Sequence, residues 1–285
     1  MRLFAISDLH LDYRENRVAL SEMPDFPDDW LILAGDICSS MEHFKFALEH
    51  LTDRFAKVIW VPGNHELWCD SKKKELNSNL KYSQLVEICN NFDVLTPEDP
   101  YLEWNGEGGQ HLIVPLFLLY DYSFRPDHVE EHQAVAWARE SGILCNDESL
   151  IKPHPFPDFS SWCRARCDYA TDRLNSLPAE IPTILINHHP LREELVRLKR
   201  IPRFSIWCGT KETENWHRTY NAAAVVSGHL HLRATDYRDQ VRFEEVSLGY
   251  PKHWRREHGM KHYLRQILPH PDPIPREDTG PIWRF

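Results

Sequence analysis

Five short apolar runs constrain this chain most: Leu3 to Ser7, Trp30 to Ala34, Val58 to Val61, Ile184 to Asn187 and Ala224 to Ser227, each followed at once by polar or glycine-containing residues. Runs of that length with no alternating polar face suit strands buried on both sides. Helix-like segments, Met41 to Phe55 and Lys72 to Cys89, lie between the early runs, so the first part of the chain alternates strand and helix. The pattern predicts an α/β fold, either doubly wound or a two-sheet sandwich. Later runs, Tyr101 to Trp104, His111 to Leu116, Leu232 to Tyr237 and Val241 to Ser247, have no helix of useful length between paired members. They read as antiparallel additions, the last two as a hairpin across Arg238, Asp239 and Gln240.

The five exits read Ser7-Asp8-Leu9-His10, Gly35-Asp36, Gly63-Asn64-His65-Glu66, Asn187-His188-His189-Pro190 and Gly228-His229-Leu230-His231. Ligands of open α/β sheets sit at the carboxyl ends of strands, where such loops converge. Aspartates, histidines and an asparagine together offer the mixed oxygen and nitrogen donors that suit manganese, ferrous iron or zinc. Asp36 is the candidate to bridge two ions, since one carboxylate can touch both. Two divalent ions held by two aspartates and neutral ligands keep a positive excess, and a phosphate ester is the anion that this arrangement fits best. His65 is placed to protonate the leaving oxygen, with Glu66 as an orienting partner. Strand alternation is expected to send Asp8 and His10 to one side and Leu9 into the core. Asp12 reads as a surface or capping residue.

Composition narrows the class. The 285 residues are 42% apolar and 27% charged, and no run approaches the ~18 uninterrupted apolar residues of a membrane span. Met1 leads directly into strand-like residues with no signal-peptide pattern, so a cytoplasmic location is expected. The formal charge of −10, without a long Lys/Arg stripe, disfavours nonspecific binding to nucleic acid or anionic membrane. Lys72 to Lys74 and the Arg255-Arg256 pair read as solvated faces. Seven scattered cysteines, an odd number, argue for reduced thiols rather than a disulfide framework.

Taken in order, Asp8-x-His10, Gly35-Asp36, Gly63-Asn64-His65-Glu66, His188-x-Pro190 and Gly228-His229-x-His231 resemble the calcineurin-like metallophosphoesterase superfamily, with Asp8, Asp36 and Asn64 spaced about 28 residues apart as is usual there. The resemblance implies a four-layer α/β/β/α sandwich with mixed sheets and a dinuclear centre. It assigns Asp8, His10 and His231 to one metal and Asn64, His188 and His229 to the other. Asp36 bridges them, and His65 acts as acid or transition-state stabiliser without binding metal. It implies two divalent ions, manganese first, with iron, zinc, magnesium, nickel or cobalt as alternatives. The expected activity is hydrolysis of a small-molecule phosphomonoester or phosphodiester by a metal-bridging hydroxide. Rival readings are a cyclic-nucleotide or nucleic-acid-type phosphodiesterase and an inactive scaffold of the same fold. Ser39 stands where many members carry a second aspartate, and the Asp-Arg-Gly continuation of protein Ser/Thr phosphatases is missing.

Residues 1–268 are expected to form a single domain, with 116–161 as an inserted cap and 269–285 as a proline-rich C-terminal tail. Tyr120, Arg125, His189, Arg203 and Trp207 are candidates for substrate contact, the aromatic and cationic groups as grips for a base, sugar or phosphate. The closing block from Val246 to Pro251 resembles a bacterial branch of the superfamily whose members are mostly uncharacterised.

Overall fold

The computed structural model describes residues 1–69 and 77–285. Lys72 to Lys74 and the start of the helix expected from Lys72 lie outside the described residues. Among them, a four-stranded sheet has the order β10 (Arg265–Leu268), β1 (Leu3–Ile6), β2 (Phe26–Leu33), β3 (Phe55–Trp60). A seven-stranded sheet runs β11 (Thr279–Trp283), β8 (Ala234–Arg238), β9 (Val241–Glu245), β7 (Ala222–Ser227), β6 (Thr183–Ile186), β5 (His111–Pro115), β4 (Leu102–Trp104). β1, β2 and β3 are parallel, as are β5, β6, β7 and β9, while the outer pairings are antiparallel. Both sheets are therefore mixed.

Side-chain alternation explains the layering. Leu3, Ala5, Ile32, Ala34, Ile113, Ile184, Ile186, Ala224 and Val226 share one core cluster between the sheets. Their strand neighbours Phe4, Ile6, Leu31, Leu33, Val114, Leu185 and Val225 belong to a second cluster on the outer faces. There they meet helices such as α1 (Arg14–Ser21), α2 (Met41–Thr52), α3 (Asn64–Leu67), α4 (Ser78–Asn91), α5 (Ala134–Glu140) and α7 (Phe159–Leu174), with the short α8 (Trp216–Thr219) before β7 and α6 (Asp147–Leu150) between α5 and α7. Successive Cβ atoms point to opposite faces of a sheet, so a strand covered on both sides must be apolar throughout. The result is the expected α/β/β/α sandwich.

The two sheets touch where their strands end. Ser7, just beyond β1, bridges to Ser247, just beyond β9: Ser7 N–H donates to the Val246 carbonyl at 3.1 Å and Leu248 N–H to the Ser7 carbonyl at 2.8 Å. β8 and β9 form the expected hairpin. β11 adds an antiparallel edge strand beside β8, which turns part of the 269–285 segment into sheet.

A buried charge cluster fastens that side. Glu244 on β9 is fully buried and accepts from Arg265 Nε at 2.8 Å, Arg284 Nη1 at 2.6 Å and Thr235 Oγ1 at 2.8 Å, with buried Arg242 Nε 3.5 Å away. Removing one partner of a buried ion pair leaves an uncompensated charge, a loss of roughly 3–5 kcal/mol. Glu244→Ala is therefore expected to lower unfolding stability by about that amount in chemical denaturation; a loss below ~1 kcal/mol, the usual worth of an exposed pair, would contradict the buried-cluster account.

Candidate metal centre

The loops leaving β1 and β2 run side by side. The Gly35, Asp36 and Ile37 carbonyls accept the N–H groups of Asp8, His10 and Leu11 at 2.9, 3.0 and 2.8 Å. Asp8 (φ 54°), His10 (φ 42°), Asp36 (φ 54°), His229 (φ 72°) and His231 (φ 54°) all adopt left-handed backbone. That conformation costs an L-residue ~1–2 kcal/mol, although Asp, Asn and His are found there more often than most. Local strain of this kind clusters at functional sites. The expected strand alternation from Asp8 to His10 is thus corrected: β1 has already ended, and left-handed turns aim the two side chains. Leu9 does enter the core.

Close approach dictates two glycines. A Cβ on Gly63 would lie 2.2 Å from Asp36 Oδ1, and one on Gly35 (φ +85°) would lie 2.6 Å from His188 Nδ1. Glu66, expected to orient His65, has another task. Its buried carboxylate accepts from the backbone N–H groups of Asp36 (2.9 Å), Ile37 (2.5 Å), Cys38 (3.3 Å) and Gly63 (2.8 Å), clamping the β2 and β3 exits together. Asp12 caps the neighbouring turn, accepting from Ser39 N–H at 2.8 Å and meeting His43 Nδ1 at 3.1 Å.

Three donor sets converge. Asp8, His10 and His231 offer atoms within 4.8 Å of one another, as do Asp36, His188 and His229, and also His10, Asp36 and His65. Asp36 belongs to two of the sets, with Oδ1 3.5 Å from His188 Nε2 and Oδ2 3.7 Å from His65 Nε2. Asp8 Oδ2 is filled by Ser7 Oγ (2.6 Å), Ser247 Oγ (2.7 Å) and the His229 N–H (3.0 Å). Its Oδ1 faces His231 Nε2 at 2.9 Å, and that nitrogen is 3.1 Å from His10 Nε2. Burial alone would raise the Asp8 carboxyl, but His231 and His188 hold it below the usual carboxylate range.

A divalent pair fits the donors left over. Asn64 Oδ1, His188 Nε2 and His229 Nε2 are buried without a hydrogen-bond partner among the described residues. Buried polar atoms are normally satisfied, and three such atoms beside Asp36 are what a cation would satisfy. Tautomers are prepared for it: His188 Nδ1 meets the Ala34 carbonyl at 2.8 Å, and His231 Nδ1 meets His253 Nδ1 at 3.1 Å, so each ring can turn Nε2 to the centre. Burial and the neighbouring His231 push His253 down to about 4, which leaves its ring neutral and able to accept. Burial likewise lowers His229 to about 3 and His10 to about 3, favouring the neutral form that ligates.

His65 stacks on Trp68 (centroids 3.6 Å apart, planes at 29°) and meets the edge of His10 at 4.7 Å. Tyr250 stacks on His10 at 4.4 Å. Of the residues expected on the substrate side, His189 is brought against His229 (4.6 Å), its Nδ1 3.3 Å from the Leu118 carbonyl and its Nε2 without a partner among the described residues. Tyr120 is buried and donates to Asp147 at 3.3 Å, and Trp207 is buried and donates to Glu148 at 2.7 Å. Arg125 donates to the Val129 and Tyr122 carbonyls, while Arg203 lies over Trp137 and pairs with Glu140. Residue-by-residue reading missed Ser7, Ser247, His253, Tyr250, Trp68 and Asp147. The exit of β9 was the available signal for Ser247, because it lies at the end of another apolar run.

A calcineurin-like phosphoesterase family model matches residues 1–233. The chain belongs to that family, and it is a metal-dependent enzyme that hydrolyses a phosphate ester. It is 45% identical over 276 residues to the [acyl-carrier-protein] phosphodiesterase PptH of Mycobacterium tuberculosis, covering 96% of this chain and 85% of the relative. The crystal structure of phosphopantetheinyl hydrolase (PptH) from the same organism superposes with a TM-score of 0.90, over 96% of this chain and 98% of that one. An uncharacterised protein, L509 of Acanthamoeba polyphaga mimivirus, is 26% identical over 202 residues, 65% of this chain and 66% of its own. The expectation of a mostly uncharacterised bacterial branch is corrected by the PptH likeness, which extends over nearly the whole chain. The short closing block could not reveal it, because Ser247 and Tyr250 brace the centre and carry no mark of substrate. No helix among the described residues is long and apolar enough to cross a membrane.

Metal binding should carry a proton signature. Burial lowers His188, but Asp36 and Asp8 outweigh it and raise the ring to about 10 in the metal-free protein. At pH 7 the Nε2 proton is therefore present and must leave when a cation takes that atom. Calorimetric titration with Mn in buffers of different ionisation enthalpy is expected to show release of about one proton from this ring, with affinity weakening up to about tenfold per unit fall in pH. Buffer-independent heats would contradict this.

Proposed function

We propose that this chain removes the phosphopantetheinyl group from an acyl-carrier protein by hydrolysing the phosphodiester that joins them. Likeness to the M. tuberculosis phosphopantetheinyl hydrolase, 45% identical with a TM-score of 0.90, is the observation that carries this reading. Asp8, His10 and His231 would hold one divalent ion and Asn64, His188 and His229 the other, with Asp36 between them. Manganese is our first choice, because a mixed oxygen and imidazole donor set with no thiol suits it. The ions would supply positive charge for the phosphate oxygens and lower the pKa of a water between them.

This chain's own residues then divide the remaining work. His65 Nε2, on the rim beside Asp36, delivers a proton to the oxygen that leaves with the carrier protein when the P–O bond breaks. Trp68 and His10 hold that ring in place from two sides. Ser7, Ser247 and the His229 N–H hold Asp8 Oδ2, so Oδ1 alone faces the centre. Such prepositioning removes reorganisation from the reaction step. His189 Nε2 and Tyr250 are our candidates for contact with the phosphate or its pantetheine arm. We also take residues 1–268 as one domain, 116–161 as cover over its site, 269–285 as a C-terminal tail that lays β11 and Arg284 onto that domain, and the cytoplasm as the working compartment.

Intact-protein mass spectrometry of a phosphopantetheinylated carrier protein with Mn-loaded enzyme is expected to show loss of the group. Bis-p-nitrophenyl phosphate should be turned over faster than p-nitrophenyl phosphate, and His65→Asn should lower kcat by about 10²–10⁴-fold with metal content unchanged. An intact carrier protein together with a preference for the monoester would point instead to a small-molecule phosphomonoesterase.

A further inference from the structure

We propose that Asp147 is a positioning residue that reaches from the 116–161 segment to fix the Asn64 amide toward the metal centre and, through Trp68, to seat His65. Asp147 is fully buried at the start of α6. Its Oδ1 accepts from Asn64 Nδ2 at 3.0 Å and from Trp68 Nε1 at 2.6 Å, and its Oδ2 accepts from Tyr120 OH at 3.3 Å. An indole N–H only donates, so Oδ1 is an acceptor, and the Asn64 atom beside it must be the NH₂. That assignment turns Asn64 Oδ1 the other way, where it is buried without a partner among the described residues, as a metal donor would be. Without the carboxylate, the amide is free to rotate by half a turn and present an NH₂, which cannot ligate.

The second arm runs through Trp68. The same Oδ1 that orients Asn64 also holds the indole on which the His65 ring stacks. One carboxylate oxygen therefore couples a candidate ligand and the candidate acid, neighbours in sequence but different in role. Main-chain bonds keep α6 in place: Cys69 N–H donates to the Leu150 carbonyl at 2.8 Å and Ser78 N–H to the Lys152 carbonyl at 3.0 Å, while Ser78 Oγ receives the Lys152 N–H at 2.8 Å. Glu148, the next residue, is pinned by Tyr122 OH at 3.0 Å and Trp207 Nε1 at 2.7 Å. This end of the 116–161 segment is thus a fixed brace, and Tyr120 and Trp207 serve it.

The inference rests on Asn64 being a ligand, as proposed above. Titration calorimetry of metal-free protein with Mn reads both ideas without using activity. Asp147→Ala is expected to weaken one of two Mn-binding events by about 10–100-fold and leave the other in place. In turnover of bis-p-nitrophenyl phosphate it should lower kcat more than it alters KM. If Asp147→Ala does not fold by circular dichroism, Asp147→Asn and Asp147→Ser decide the matter: Asn keeps an oxygen opposite Asn64 and should retain binding, whereas Ser is too short and should show the loss. If Asn64→Ala loses the ion and the folded Asp147 variants do not, the positioning role is overturned while the ligand set stands. Native binding by Asn64→Ala would overturn both.

Discussion

The meeting of two sheets at Ser7 and Ser247 is the contact on which the site depends. β1 leaves the smaller sheet and β9 the larger one, and the bridge between their exits brings loops from both sheets to one point. Asp8 sits directly on the junction, with one carboxylate oxygen filled by hydroxyls from both sides. The inter-sheet core of Leu3, Ala5, Ile184, Ile186, Ala224 and Val226 sets the spacing of the sheets beneath it. Because protein interiors are close-packed, that spacing is transmitted to the loops with little slack.

Above the core, the chain accepts strain and buried polarity together. Five candidate ligands have left-handed backbone, and four buried polar atoms around them, Asn64 Oδ1 and the Nε2 atoms of His188, His189 and His229, have no partner among the described residues. Each feature is unfavourable in a metal-free fold. Glu66, with four backbone N–H groups on one carboxylate, helps to hold two of the loops in these conformations. The arrangement is costly alone and suited to divalent cations, which links stability to metal binding.

Much of this was legible in the sequence. Buried parallel strands are continuous apolar runs, so β1, β2, β3, β6 and β7 announced themselves, and their exits carried the donors in order. The hairpin of β8 and β9 followed from its turn. Other features were hidden because they depend on contacts distant in sequence. Glu66 turned to four backbone amides rather than to its neighbour His65, and His253 meets His231 across 22 residues. Asp147 meets Asn64 across 83 residues, from a segment with little regular structure of its own. Tyr120 in that segment and Trp207 beyond it looked like substrate grips, yet they end on Asp147 and Glu148. A side chain's residue type suggests what it can bond, and only packing selects the partner.

Anomalous diffraction from crystals soaked in Mn tests the central claim most directly. Two peaks about 3.5–4 Å apart are expected, one among Asp8, His10 and His231, the other among Asn64, His188 and His229, with Asp36 touching both. A single peak, or two peaks away from Asp36, would contradict the account.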